Sequence, residues 1–149
     1  MAHLTKDETA TVVALLGGTK VLGRGIDTAA AMQEALRRGL PFAAFESLRK
    51  ALELPSGELT DILGVASRTL ARRKRARQLS AAESDRLYRV AFITRLAVEV
   101  LGSLEKARVW LGRPNRALRD AAPVSLLDNE IGERQVEEIL RRIEHGIVS

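Results

Sequence analysis

Residues 59–77 read LTDILGVASRTLARRKRAR, and this stretch decides the fold that the sequence predicts. Apolar residues recur at helical spacing on both sides of a glycine, at Leu59, Ile62, Leu63 and Leu70. Gly64 between them can end the first helix, and Ser67 is expected to cap the second. The stretch therefore predicts two short helices joined by a tight turn, which is the layout of a helix-turn-helix.

The second of these helices is strongly basic, because residues 67–78 contain six Lys or Arg residues and no acid. In a helix-turn-helix the second helix lies in the DNA major groove with its amino-terminal residues toward the bases. The side chains expected to be exposed there are Arg68, Thr69, Arg72 and Arg73. Arginine can bind guanine or a phosphate, so the helix is predicted to contact DNA. The alternative is a helical hairpin with a basic, solvated face; the coincidence of turn and charge favours DNA.

Composition predicts an all-α fold. The 149 residues are 46% hydrophobic and 29% charged, as in a folded globular protein. Aromatic residues make up only 3%, whereas the helix formers Leu, Ala, Arg and Glu are abundant. A net charge of +5 is compatible with a nucleic-acid partner, and the lack of cysteine excludes disulfides and thiolate metal sites.

Capping signals and turn residues divide the rest of the chain. A turn at Gly17 and Gly18 is expected to lead into an extended stretch through Val21 and Leu22. Helices are then predicted from Thr28 to about Arg38, from Pro41 up to Pro55, from the capping box of Ser80 and Glu83, from Ser103, and toward Gly146. The apolar face of the helix after Ser80 is wide, which predicts burial between two lobes or at a dimer seam.

Little in the sequence points to catalysis or to a cofactor. The glycines of residues 17–25 lack the Lys and Ser/Thr of a phosphate-binding loop, so they are interpreted as turn glycines. His3 lies near the terminus, and His145 is interpreted as a cation near the end of the last helix. Without cysteine or a second well-placed histidine, neither a metal site nor a nucleophile–base pair is visible. We expect no enzymatic activity, no cofactor and no metal.

The sequence also predicts a cytoplasmic protein with no membrane partner. It contains no run of about 18 apolar residues that could span a bilayer. The polar start MAHLTKDETA lacks the layout of a signal peptide.

Five segments together resemble a known family: GLPFAAFESL, LTDILGVASRTLARR, LSAAESDRLYRVA, WLGRPNRAL and LLDNEIGERQVEEILRRIEHGIVS. From about Gly39 to Ser149 the chain is similar to the Xre-type antitoxins, also described as the Xre/MbcA/ParS-like family. The resemblance implies an Xre-like helix-turn-helix lobe and a small helical C-terminal lobe that binds a RES-domain toxin. We place the boundary between residues 1–90 and 91–149.

The resemblance implies roles for single residues within the matching segments. DNA contact falls on Ser67, Arg68, Thr69, Arg72 and Arg73. Toxin contact falls on Trp110, Arg113, Asn115, Leu118, Arg141, Arg142, Glu144, His145 and Ser149. From the apolar face of its helix alone, Trp110 is interpreted as a core residue, although it could also anchor a protein interface.

Two functions remain open at this stage. By resemblance, the chain is the antitoxin of a type II system that covers the active-site entrance of an NAD⁺-consuming RES toxin. Antitoxins of this kind commonly form homodimers, and their toxin complexes can repress their own operon by binding operator DNA. The alternative is a stand-alone helix-turn-helix transcription regulator without a toxin partner.

Overall fold

The chain folds into α-helices over residues 4–146, which the computed structural model describes, apart from the side chain of Ser56. The helices are α1 (Lys6–Leu15), α2 (Thr19–Leu22), α3 (Ala29–Arg38), α4 (Phe42–Leu52), α5 (Ser56–Leu63), α6 (Ser67–Ala76), α7 (Ala81–Leu101), α8 (Leu104–Gly112) and α9 (Glu130–Glu144). Two 3₁₀ helices, Arg116–Leu118 and Pro123–Leu126, connect α8 to α9. The predicted all-α class is confirmed.

The long helix α7 is the centre of the structure. Its side chains from Val90 to Ala97 are all buried, and α1, α3, α5, α8 and α9 pack around it. The wide apolar face predicted for this helix is therefore a buried face within one chain.

Among the buried side chains from Val90 to Ala97, Arg95 is the charged one. Its guanidinium group lies 2.7 Å from both Glu8 of α1 and Glu99 of α7. Two carboxylates thus compensate the buried charge, and the pair with Glu8 fixes α1 on α7.

Helix ends follow the capping residues in the sequence. The predicted capping box is present at α7, where the Ser80 side chain accepts from the Glu83 amide and Glu83 accepts from the Ser80 amide. Thr28 caps α3 and Ser103 caps α8, as predicted. These hydrogen bonds satisfy amides that have no partner inside the helix.

Two local predictions were wrong. Val21 and Leu22 lie in α2 rather than in an extended stretch, because Gly18 has a φ of 72° and the chain turns into a new helix. The side chain of Val21 fills the space beside Gly17, where an added Cβ would lie 2.4 Å from Val21 Cγ2. Ser67 is the first residue of α6 and not its cap, since the N-cap position is occupied by Ala66.

The two predicted lobes share α7. The boundary after residue 90 falls inside this continuous helix, so the division into residues 1–90 and 91–149 stays a proposal. In the described part of the chain, no helix is long and apolar enough to cross a membrane.

Candidate functional site

A rigid turn joins α5 to α6. Gly64 adopts the left-handed conformation with a φ of 66°, and its amide donates to the Asp61 carbonyl at 3.0 Å. From α7, Arg86 donates to the Leu63 carbonyl at 2.7 Å, which satisfies the end of α5. Val65 in the turn and Leu70 on α6 both pack against the core. The amino end of α7 thus fixes the helix-turn-helix geometry.

The face of α6 opposite Leu70 consists of three arginines. At about 100° per residue, Arg68, Arg72 and Arg75 fall on the side of the helix that points away from the core. All three side chains are exposed, and among residues 4–146 none of them forms an ion pair. Arg75 was missed by the sequence analysis, although its helical spacing from Arg68 and Arg72 could have identified it. The structure therefore presents three free guanidinium groups to a partner.

Arg73 differs from Arg72 and Arg75, and the expectation that its side chain is exposed is corrected. Its Nε donates to Glu83 Oε1 at 2.9 Å, and only 28% of the Arg73 side chain is exposed. Burial raises the pKa of Glu83, but the hydrogen bonds from Arg73 and from the Ser80 amide outweigh it and hold that pKa below its usual value. Arg73 therefore ties α6 to α7.

Thr69 is half-buried, whereas Ser67 lies exposed at the first position of α6. Of the five predicted DNA-contacting residues, the structure brings Ser67, Arg68 and Arg72 to the exposed surface.

A groove of about 550 Å³ lies at the opposite end of α7. Leu101, Val109 and the half-buried Trp110 form its apolar wall, and Arg113 and Asn115 line it as well. Trp110 packs partly on the core and partly faces this groove. The structure thus brings three of the predicted toxin-contacting residues together: Trp110, Arg113 and Asn115.

Leu118 and Asn115 have structural contacts of their own. Leu118 is only 7% exposed and belongs to the core, so the structure places this predicted contact residue away from the surface. Asn115 Oδ1 accepts from the Ala117 amide at 3.0 Å and holds the first 3₁₀ helix. The loop that carries Arg113 is therefore ordered by its own hydrogen bonds.

The end of α9 carries the other predicted toxin-contacting residues. Arg141 pairs with Glu144 at 3.3 Å, and Arg142 pairs with Glu138 at 2.7 Å. The side chain of His145 is 69% exposed, and Ser149 lies outside the described residues. Such exposed ion pairs contribute little to stability and can exchange partners at low cost.

Helix α9 packs against α7. Arg89, in the first half of α7, pairs with Glu133, in the first turn of α9. Six residues further along α7, Arg95 contacts Glu8 of α1. The hydrogen bond from the Thr5 amide lowers the pKa of Glu8, and the positive charges of Arg95 and of Arg141 in α9 lower that pKa further. The groove lies at the carboxyl end of α7, beside Leu101, and the basic helix α6 lies toward the amino end of α7, where Arg73 pairs with Glu83.

The described residues contain no group of three or more His, Asp or Glu side chains that could hold a metal ion.

Comparison with known proteins finds two matching family descriptions, each for a different part of the chain. Residues 31–91 match the family described as the antitoxin Xre-like helix-turn-helix domain. Residues 96–146 match the antitoxin Xre/MbcA/ParS C-terminal toxin-binding domain. The first range contains α5 and α6, and the second contains the groove and α9.

Three similar proteins carry the name Antitoxin Xre. One from Photorhabdus laumondii is 34% identical over 116 residues, 76% of this chain and 78% of its own length. One from Yersinia enterocolitica is 29% identical over 118 residues, 78% of this chain and 80% of its own length. One from Pseudomonas putida is 41% identical over 80 residues, 53% of this chain and 50% of its own length.

Proposed function

Because the chain belongs to the Xre family of antitoxins, we propose that it neutralises a RES-domain toxin that consumes NAD⁺ and represses its own operon. The coarser function is established by the family: the chain is an antitoxin of a toxin–antitoxin system, with a helix-turn-helix and a toxin-binding domain. This family is not a family of enzymes, which confirms the prediction of a non-enzymatic protein. The toxin-binding domain also favours an antitoxin over a stand-alone regulator.

One observation carries the proposal: the arginine face of α6 and the Trp110 groove lie toward opposite ends of α7. Unpaired Arg68, Arg72 and Arg75 suit the phosphates and guanines of DNA. A half-buried tryptophan in a groove with an apolar wall suits a protein interface instead, because it buries a large area and keeps one polar group. The two surfaces therefore fit two different partners.

For the toxin, we assign contact to the groove and to the end of α9. Trp110 would anchor the interface, while Arg113 and Asn115 supply hydrogen bonds at its edge. Residues 141–149 would then reach the entrance of the toxin's active site, where Arg141 and Arg142 can exchange their own glutamates for acids of the toxin. Covering the entrance would keep NAD⁺ out.

For DNA, we assign contact to Ser67, Arg68, Arg72 and Arg75, and we give Arg73 a positioning role. A homodimer belongs to the same proposal, since helix-turn-helix proteins bind two half-sites as symmetric dimers. Operator binding upstream of the gene pair would make the complex its own repressor.

Co-expression tests the toxin half of the proposal. The neighbouring reading frame is expressed alone, with this chain, and with a chain truncated after residue 140, while growth and cellular NAD⁺ are followed. We expect loss of NAD⁺ and growth arrest with the neighbour alone, rescue by the full chain and no rescue by the folded truncation. Full rescue by the truncated chain would overturn the role of residues 141–149, and growth arrest without NAD⁺ loss would overturn the toxin class.

A further inference from the structure

One side of α8 forms a stripe along the groove beside Trp110. Its members recur at helical spacing and all line the groove: Lys106, Val109, Trp110 and Arg113. The order along this stripe is a cation, two apolar side chains and a second cation. At a rise of about 1.5 Å per residue, the two cations lie about 10 Å apart along the helix axis.

The centre of the stripe is apolar and open to solvent. Val109 is 41% exposed, and with Ile131 it is one of the two large hydrophobic side chains that the described residues leave exposed. Beside it, Trp110 is only half-buried, and Leu101 at the end of α7 also lines the groove. Exposed apolar surface around a tryptophan is typical of a protein interface, so the groove fits a large apolar side chain of a partner.

The two cations at the ends of the stripe are not compensated within the chain. Both are exposed, and in the part of the chain that the structure describes neither Lys106 nor Arg113 forms an ion pair. Arg108 lies on the same helix but binds the end of α4, where it pairs with Glu53 at 2.7 Å. The unpaired cations of this segment are therefore the two that line the groove.

The surroundings of the groove are basic as well. Residues 105–120 contain five Lys or Arg residues and two acids. Glu105 is the one acid that lines the groove, and it lies in the first turn of α8, where the partial positive charge of a helix start stabilises a carboxylate. The electrostatic field of this region therefore favours an acidic partner.

The backbone is fixed at both ends of the stripe. Ser103 caps α8 by accepting from the Lys106 amide at 3.1 Å. After the helix, the Asn115 amide donates to the Ala121 carbonyl at 3.0 Å. A framework that is already ordered loses little conformational freedom on binding, so the spacing of the two cations can select a partner.

The whole stripe lies within residues 96–146, which match the toxin-binding domain. We propose that the groove binds a segment of the toxin in which two carboxylates flank a large apolar side chain, and that Lys106 and Arg113 each pair with one of these carboxylates. The inference rests on the proposed binding of a toxin and names the chemistry of that contact. It adds Lys106 to the residues that determine which toxin is bound.

Carbodiimide cross-linking tests the pairing directly, because this reagent joins a lysine amine to a carboxylate that contacts it. The probe is the protein encoded by the neighbouring reading frame, in its complex with this chain. Mass spectrometry is expected to find Lys106 joined to an Asp or Glu of that protein. Lys20, which is exposed and lies outside the groove, is expected not to be joined to it.

Calorimetric titration with the same protein measures the Kd of Lys106→Gln, of Arg113→Gln and of the matched control Lys20→Gln. Close charge pairs contribute strongly at protein interfaces, so we expect each groove variant to bind at least about tenfold more weakly and the control to bind like the wild type. Lys106→Arg should recover most of the affinity because it keeps the charge. Replacing the cross-linked carboxylate of the toxin with lysine should restore binding to Lys106→Glu.

Four results would overturn the inference while toxin binding by the wild type stands. If Lys106→Gln and Arg113→Gln bind the toxin as tightly as Lys20→Gln, neither pair exists. A loss in only one of the two groove variants excludes the pattern of two carboxylates. Weaker binding without a cross-link from Lys106 to the toxin means that the group facing Lys106 is not an acid. A cross-link from Lys106 to a second copy of this chain assigns the groove to the homodimer.

Failure of the proposed function looks different from these results. A wild-type chain that does not bind the neighbouring protein refutes the proposed toxin, and the inference falls with it.

Discussion

Arg72 and Arg73 are adjacent in α6, but replacing each with alanine is predicted to change a different property: stability for Arg73 and DNA affinity for Arg72. Arg73→Ala removes the hydrogen bond to Glu83, whose side chain is 8% exposed, and leaves that carboxylate with the Ser80 amide at 2.8 Å. Arg72→Ala removes an exposed side chain that forms no ion pair in the described part of the chain. The first change should therefore lower stability, and the second should lower DNA affinity.

The magnitudes follow from these contacts. A hydrogen bond to a charged group contributes about 1.5–3 kcal/mol, and because Arg73 is partly exposed we expect its loss to cost about 2 kcal/mol. For a chain of this size, ~2 kcal/mol corresponds to a fall in Tm of about 4–8 °C. Arg72→Ala should stay within about 0.5 kcal/mol of the wild type. In DNA titrations well below Tm, Arg72→Ala should lower the slope of log K against log salt concentration by about 0.9, while Arg73→Ala keeps the slope of the wild type.

Thermal unfolding checks the predicted loss of stability, and the DNA titrations check the predicted loss of affinity. In Arg73→Ala combined with Glu83→Gln, part of the lost Tm should return, because the buried negative charge is gone. Equal Tm values for the two single variants would refute the structural role of Arg73. A reduced salt slope in Arg73→Ala would show that Arg73 contacts phosphate after all.

Three further predictions concern other contacts. Burial raises the pKa of Glu83, but the hydrogen bonds from Arg73 and the Ser80 amide outweigh it and hold the folded-state pKa below the unfolded value. The stabilisation that ionised Glu83 contributes is therefore complete above the unfolded pKa and is lost as the pH falls through the folded pKa. The Tm difference between the wild type and Glu83→Gln should shrink on acidification. In Gly132→Ala the new Cβ would lie 1.8 Å from the Leu126 carbonyl oxygen, so unfolding should become easier by about 1–3 kcal/mol, whereas Gly57→Ala, with open space around it, should not destabilise the chain. Trp110→Ala should weaken toxin binding by at least ~2 kcal/mol, about 30-fold, in calorimetric titration, and unchanged affinity would remove Trp110 from the interface.

Local signals in the sequence were enough to predict most helix ends. Thr28, Ser80 and Ser103 each supply a side-chain oxygen to amides of the following helix, and these interactions depend only on residues three positions away. The α5–α6 turn was predictable for the same reason, since Gly64 and the apolar residues around it lie within one short stretch.

Contacts between distant residues were beyond the reach of sequence patterns. Helix α2 depends on Val21 filling the space beside Gly17. A helix of four residues is too short to show a hydrophobic periodicity, so the sequence pattern does not predict this packing. The role of Arg73 depends on Glu83, which the α6–α7 turn brings back to it. Within a run of six basic residues, nothing local separates an arginine that pairs with the protein from one that is free.

The arrangement around α7 keeps the two proposed binding surfaces apart on one chain. This helix has 21 residues and is therefore about 30 Å long, with α6 held at its start by Arg73 and the groove formed beside its last residue, Leu101. The two ends are also joined through Arg108 of α8, which donates to the Ala51 carbonyl of α4 at 2.9 and 3.1 Å. Helix α8, which forms one wall of the groove, is thus hydrogen-bonded to α4, the helix before the helix-turn-helix, so the two binding surfaces are parts of one continuously packed structure.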